Sequence, residues 1–426
     1  MPRHKRAKGK GKPNRPVAEC IRGMIRASGP PLSPQCCIYK VPSNIYHMNV
    51  AAYEPYVVSI GPFHHGKSSL KAMEKHKLCY LQSFLERLKL DLEDLVNTIE
   101  EWEEETRACY AENIELSSND FVQMILVDGV FIIEFFLRSH FHDLQDDSDR
   151  ILTFNPGFRV AIKHDLILLE NQLPFFVLER IFDLAFQHLS LENFPTMLSL
   201  AFDFFSEYNT QKKQPGFEVK HLLDLLRTFQ LPSNLRRQPK IDAKFEFLYS
   251  ATLLHKAGVK FKVASSGWLL GIHFENNILE IPCLKLDDTT ESYIRNLMAF
   301  EQCHYPYDSH IIDYAFFMDY LINTTEDVDL LVQSGVIVNL LGDAAAVATL
   351  FNNLGKNIAF GCSNFYFGGL CEDLNAFYRV PWHHWKAIFK RDYFSTPWRT
   401  TTTIAATMLL VLTLIQTICS MISLLK

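Results

Sequence analysis

Apolar residues recur along most of this chain at helical spacing. From about Ser69, Leu81, Leu85, Leu88, Leu92, Leu95, Ile99 and Trp102 follow one another at intervals of three and four, which predicts one long helix with a single buried face. Ser118-Asn119-Asp120 offers an N-cap for FVQMILVDGVFIIEFFL, an apolar helix ending near Leu137. Asp128 and Glu134 inside it exclude a membrane span and need partners when buried. The run VAIKHDLILLENQLPFFVLERIFDLAF is interrupted by Asp165, Glu170, Asn171 and Gln172, and Pro174 breaks or kinks the helix just after them. Those polar groups read as a satisfied core network that fixes one packing arrangement; a binding or catalytic carboxylate is the competing reading.

Beyond a polar spacer, Ser206 to Gly216, KHLLDLLRTF and FEFLYSATLLHKA are helical, the second ending at Gly258. The period then switches to alternation: Val259, Phe261 and Val263; Trp268, Leu270, Ile272 and Phe274; Ile278 to Leu284. With turns at Ser265-Ser266-Gly267 and Glu275-Asn276-Asn277, this predicts a small antiparallel β-meander over 259–284. Helical patterning returns over Glu291 to Gln302, Ser309 to Ile322, Asp327 to Gln333, Asp343 to Asn353 and Asn364 to Lys390. The fold class is therefore mainly α with a small antiparallel meander (α+β).

Thr401 to Leu425 carries no charged residue. At about 1.5 Å per residue it can cross roughly 30 Å of hydrocarbon with some tilt, which makes it a transmembrane anchor. Thr413, Gln416, Thr417 and Ser420 fall at i, i+3, i+4 and i+7, with Ala406 one heptad earlier, so the small and polar residues share one face. Such a face suits a homo-oligomer or a partner helix. In the plainer reading, the hydroxyls bond back to their own helix. Trp398, Tyr393 and nearby basic residues suit the headgroup level.

Composition divides the rest. Residues 1 to 35 are rich in Lys, Arg, Gly and Pro and read as a basic disordered leader, with attraction to anionic headgroups as its functional reading. Residues 36 to 398 form the globular domain. The net charge is −6, but residues 1 to 16 hold seven basic groups and no acid, so the remainder carries −13. An acidic body argues against nucleic-acid binding. Without an apolar stretch after the leader there is no signal peptide, and insertion is expected to rely on the C-terminal segment. Lys386, Lys390, Arg391 and Arg399 precede that segment, against Lys426 after it, placing the body in the cytosol at a plasma membrane or endomembrane. Ten cysteines without regular spacing fit reduced thiols. Asn323-Thr324-Thr325 is a sequon that matters in the inverted topology.

The motifs point to no enzyme and no cofactor. GPFHHGKS, Gly61 to Ser68, formally matches the P-loop pattern after a strand-like Tyr56 to Ile60, and MILVD at Met124 to Asp128 resembles an acidic strand end. The alternative function is thus a membrane-tethered nucleotide hydrolase using Lys67. Against it, Pro62 removes an N–H donor, Phe63, His64 and His65 are bulky, and MILVD sits inside a helical run. Sixteen histidines include no HxxxH or HExxH, which leaves no zinc motif, and there is no GxSxG elbow.

Taken in order, IYKVPSNI, AYEPYVVSIGPFHHG, MEKHKLCYLQSFLER, FVQMILVDGVFIIEFF, HDLILLENQLPFFVLERIF, HLLDLLR, HKAGVKFK, LEIPCLKLDDTTESYIRNLMAFEQ, YAFFMDYLINTTEDVDLL and PWRT before an apolar tail resemble the plant family labelled domain of unknown function 247. The resemblance covers about residues 36 to 426. It implies a land-plant source, one mainly helical domain with a C-terminal membrane helix, and no established activity or catalytic residues. In that family the residues after the second glycine of IGPFHHG vary, so Lys67-Ser68 completes the P-loop pattern by coincidence. Some grass members are linked to self-incompatibility, a role that does not carry over by resemblance alone. The expected function is recognition, signalling or scaffolding at a membrane surface.

Overall fold

The computed structural model describes residues 15–27, 32–145, 155–186, 194–232, 247–361, 365–380 and 397–424. The N-terminal half is built from α1 (Arg15–Ala27), α2 (Ser43–Tyr46), α3 (Lys71–Leu88), α4 (Leu92–Ala108), α5 (Ser118–His140), α6 (Pro156–Leu166), α7 (Phe175–Phe186) and α8 (Met197–Phe204). Next come α9 (Leu222–Gln230), α10 (Ala251–Lys256), β1 (Lys260–Val263), β2 (His273–Glu275), β3 (Ile278–Ile281) and β4 (Leu284–Leu286). The chain continues with α11 (Thr290–His304), α12 (His310–Leu321), α13 (Thr325–Gln333), β5 (Ile337–Asn339), α14 (Ala344–Leu354), α15 (Gly368–Arg379) and α16 (Pro397–Leu424). The class is as expected, mainly helical with a small β part.

Helix α5 is the hub. Mostly apolar, it is buried from Phe121 to Arg138 except at Gln123, and α3, α4, α7 and α8 pack around it. Ser117 caps it, its Oγ accepting the Asp120 N–H at 3.2 Å. At Gly129 a β-carbon would stand 2.9 Å from Ile181 Cδ1, so glycine sets how closely α5 and α7 approach. The core runs on from this bundle through α9, α11, α12 and α14.

Two expectations change. The long helix after Ser69 is two: Lys89 turns left-handed at φ 53°, Leu90 N–H returns to Leu85 O at 3.1 Å, and Asp91 caps α4 through the Glu93 N–H at 2.9 Å. The periodicity survives because both helices lay one apolar face on the same core. The meander is not fully antiparallel. Strands β2 and β3 form a hairpin through Asn276 and Asn277, both at positive φ, but β1 pairs β3 in parallel, giving the order β1-β3-β2. Residues 264–272, Trp268 and Leu270 among them, cross from the end of β1 past the end of β3 to the start of β2 instead of forming a middle strand. Strand β4 pairs in parallel with β5 in a separate ladder.

The leader also departs from expectation. Residues 15–27 are helical because Val17, Ile21, Met24 and Ile25 recur at helical spacing within the basic run, and Pro16 suits a first helical turn. Residues 1–14 and 28–31 lie outside the described residues. So do 381–396, which include Tyr393 and the Lys386, Lys390 and Arg391 cluster; of the helix expected over Asn364 to Lys390, α15 is the described part.

Candidate functional site

The corner between α6 and α7 holds the polar residues that interrupt the apolar run, and it organises the segment Tyr56 to Gly61. Both carboxylate oxygens of Asp165 are used: Oδ1 accepts the N–H of Tyr56 at 2.7 Å, and Oδ2 accepts those of Val57 and Val58 at 2.7 and 2.8 Å. Asn171 Oδ1 accepts the Ile60 N–H at 2.7 Å, while its amide donates to Val58 O and Asp165 O. Gln172 donates to Leu166 O and Leu168 O. A segment with strand-like composition is thus held by side chains in place of a ladder. The satisfied-network reading of Asp165, Asn171 and Gln172 fits this geometry.

The same network reaches α5. Asp128 accepts the Gly61 N–H at 2.9 Å and the Lys77 ammonium at 2.7 Å, and Lys77 also donates to Ser59 O at 2.6 Å. Burial opposes the charge on Lys77, but Asp128 and Glu74 more than offset it and hold its pKa above the usual lysine value. Gly61 stands at φ 71°, and a β-carbon there would meet Gln172 O at 2.6 Å.

These contacts occupy the groups that a P-loop would use. Gly61 N–H is committed to Asp128, Asp128 to Lys77, and Lys67 is ion-paired with Glu54. The chain after the loop enters a 3-10 turn, Ser68–Leu70, before α3 begins. His64 is buried between Glu54 and Glu170, each ring nitrogen 3.9 Å from a carboxylate oxygen and neither hydrogen-bonded among the described residues. Burial depresses its pKa to about 4, so the imidazole is neutral at pH 7. Burial pushes the Glu170 carboxyl up. In Glu54 the hydrogen bonds from Lys67 and Tyr46 outweigh burial and lower the pKa.

A second charged cluster escaped the sequence reading. Arg227 on α9 donates through Nε to Glu301 on α11 at 2.8 Å, and the other Glu301 oxygen accepts the N–H groups of Ile311 and Ile312 at the start of α12. Burial pushes Glu301 up to about 7 against the pull of Arg227, and Asp313, accepting the Tyr366 N–H at 2.8 Å, up to about 8. The one available signal was the isolated charges inside the apolar runs HLLDLLRTF and NLMAFEQ.

On α16, Thr413 Oγ1 donates to Leu409 O at 2.7 Å, Thr417 to Thr413 O at 2.8 Å and Ser420 to Gln416 O at 2.9 Å. The three hydroxyls are satisfied within their own helix, as in the plainer sequence reading. The side chain of Gln416 lies exposed on the same face. Thr400–Ile422, 23 residues, is long and apolar enough to cross a membrane, and none of it is buried against the rest of the protein.

The comparisons with known proteins agree on one family. A family model described as "Plant protein of unknown function", DUF247, matches residues 38–412. The UPF0481 protein At3g47200 of Arabidopsis thaliana is 30% identical over 419 residues, covering 91% of this chain and 87% of that protein. The putative UPF0481 protein At3g02645, also of Arabidopsis thaliana, is 24% identical over 480 residues, covering 89% of each. No solved structure matches the chain. With the family model matching most of the chain and a relative 30% identical along nearly all of it, the chain belongs to the DUF247 family of plant proteins of unknown function.

Proposed function

We propose that this protein is a non-enzymatic recognition or scaffolding protein, anchored by α16 in a plasma membrane or endomembrane with its body in the cytosol. The observation that carries the reading is the contrast between the two parts of the chain. Apolar side chains of the body close on one core, whereas those of α16 from Met408 to Ile422 stand largely exposed. Leaving so continuous an apolar surface in water opposes the hydrophobic effect, and a bilayer removes it. The polar network around Asp165 supports a structural and not a catalytic role for that corner, because both oxygens of its carboxylate are taken up by the fold's own N–H groups. The exposed Gln416 amide is the contact by which α16 would meet a second copy or a partner helix.

The test is alkaline extraction and protease protection of the full chain in plant microsomes, with an epitope at each terminus, followed by crosslinking of wild type against Gln416→Leu. The expected result is a protein that resists extraction, a body digested outside sealed vesicles, and crosslinks lost in the variant. Release by alkali would overturn the anchor. Protection of the body would overturn the cytosolic placement, and glycosylation at Asn323 would then follow. Unchanged crosslinks would remove Gln416 from the contact.

A further inference from the structure

We propose that α1 is a second membrane contact, an amphipathic helix that lies in the headgroup layer of an anionic bilayer while α16 crosses it. The proposal rests on the reading of α16 as an anchor, which keeps a bilayer within reach of the chain. At about 100° per residue, Val17, Cys20, Ile21, Met24 and Ile25 gather on one arc of α1. Arg22 and Glu19 lie on the opposite side, where the helical register also places Arg15 and Arg26. The apolar stripe is exposed, from 50% at Ile21 to 67% at Ile25. A soluble globular helix with this pattern would turn that stripe to the core.

Charge selects the occupant. Residues 1–27 hold nine Lys or Arg and one acid, Glu19. A second copy of α1 would bury the stripe but set like charges against one another. The acidic body offers the opposite charge, yet in the structure it leaves the stripe exposed while its own apolar residues close on one core. An anionic lipid surface satisfies both halves of the helix at once: acyl chains take the apolar arc, and phosphates and carboxylates face the cations. The geometry therefore points to a helix lying in the interface plane. At 13 residues α1 is also too short to span.

The test is hydrogen exchange on the full chain held in lipid nanodiscs, of phosphatidylcholine alone or with added phosphatidylserine. The amides of residues 15–27 should exchange about tenfold more slowly in the anionic discs than in the neutral ones. The paired substitution Ile21→Asp and Met24→Asp should abolish the difference while the protein stays in the discs. Equal exchange in both lipids, or protection that persists in the doubly substituted protein, overturns the proposal. Protection in detergent without anionic lipid assigns the stripe to the body or to a second copy and overturns it too. If the chain fails to enter discs, the anchor reading is what has failed. The same measurement with preformed anionic vesicles then tests α1 by itself.

Discussion

Asp313 shows how much of this fold's chemistry is decided one side chain at a time. It sits in the first turn of α12, 4% exposed, with the Tyr366 N–H as its donor and the Glu301 carboxyl close enough to raise its pKa further. Burial lifts its pKa from 3.8 to about 8, so the folded protein binds this proton more tightly than the unfolded chain does. The stability gained is fully present below about pH 4 and is lost as pH rises through about 8. An asparagine side chain at this position would keep the acceptor and could not ionise. Asp313→Asn should therefore match wild type in thermal unfolding below about pH 4 and exceed it by a few degrees at about pH 8. A margin that stays constant over that range would show that this carboxyl is not the titrating group.

Among the elements, the segment Tyr56–Gly61 and the α6–α7 corner depend on each other. Truncation in Asp165→Ala leaves three backbone N–H groups, those of Tyr56, Val57 and Val58, without their acceptor. The expected cost is about 3 kcal/mol or more, read as a lowered denaturation midpoint, with faster hydrogen exchange confined first to this segment. An unchanged midpoint would mean that water replaces the carboxylate. This corner also marks what the sequence could and could not reveal. Polar residues inside an apolar run announced a network, because burial obliges them to find partners. The segment that Asp165 and Asn171 hold stood more than a hundred residues away, and no local pattern encodes such a pairing. Helix periodicity exposed α5 and the later helices for the opposite reason, since a buried face repeats within each turn. The break at Lys89 stayed hidden because both helices continue the same apolar rhythm. In the same way, alternation in 259–284 disclosed strands but not their order, since parallel and antiparallel partners impose the same period of two.

At the scale of the whole molecule, the thiols report on the anchor. Cys79, Cys283 and Cys419 are all exposed in the protein alone. Of these three, the crossing of α16 should cover Cys419 alone, which lies within Thr400–Ile422. A membrane-impermeant maleimide applied to sealed vesicles should modify Cys79 and Cys283 and spare Cys419 until detergent is added, with mass spectrometry giving the site. Labelling of Cys419 before detergent would mean that α16 is not embedded.

The tie between Asp165 and Tyr56 spans 109 residues of sequence, and the amide of Asn296 reaches Ala52 O across 244. During synthesis at roughly 5–20 residues per second, the early segment must therefore wait on the order of 5 to 20 s for the first of these partners to emerge. Its Val57, Val58 and Ile60 meanwhile remain without a core. The N-terminal part of the domain is made first and finished late, which exposes the nascent chain to holdase chaperones and to early degradation.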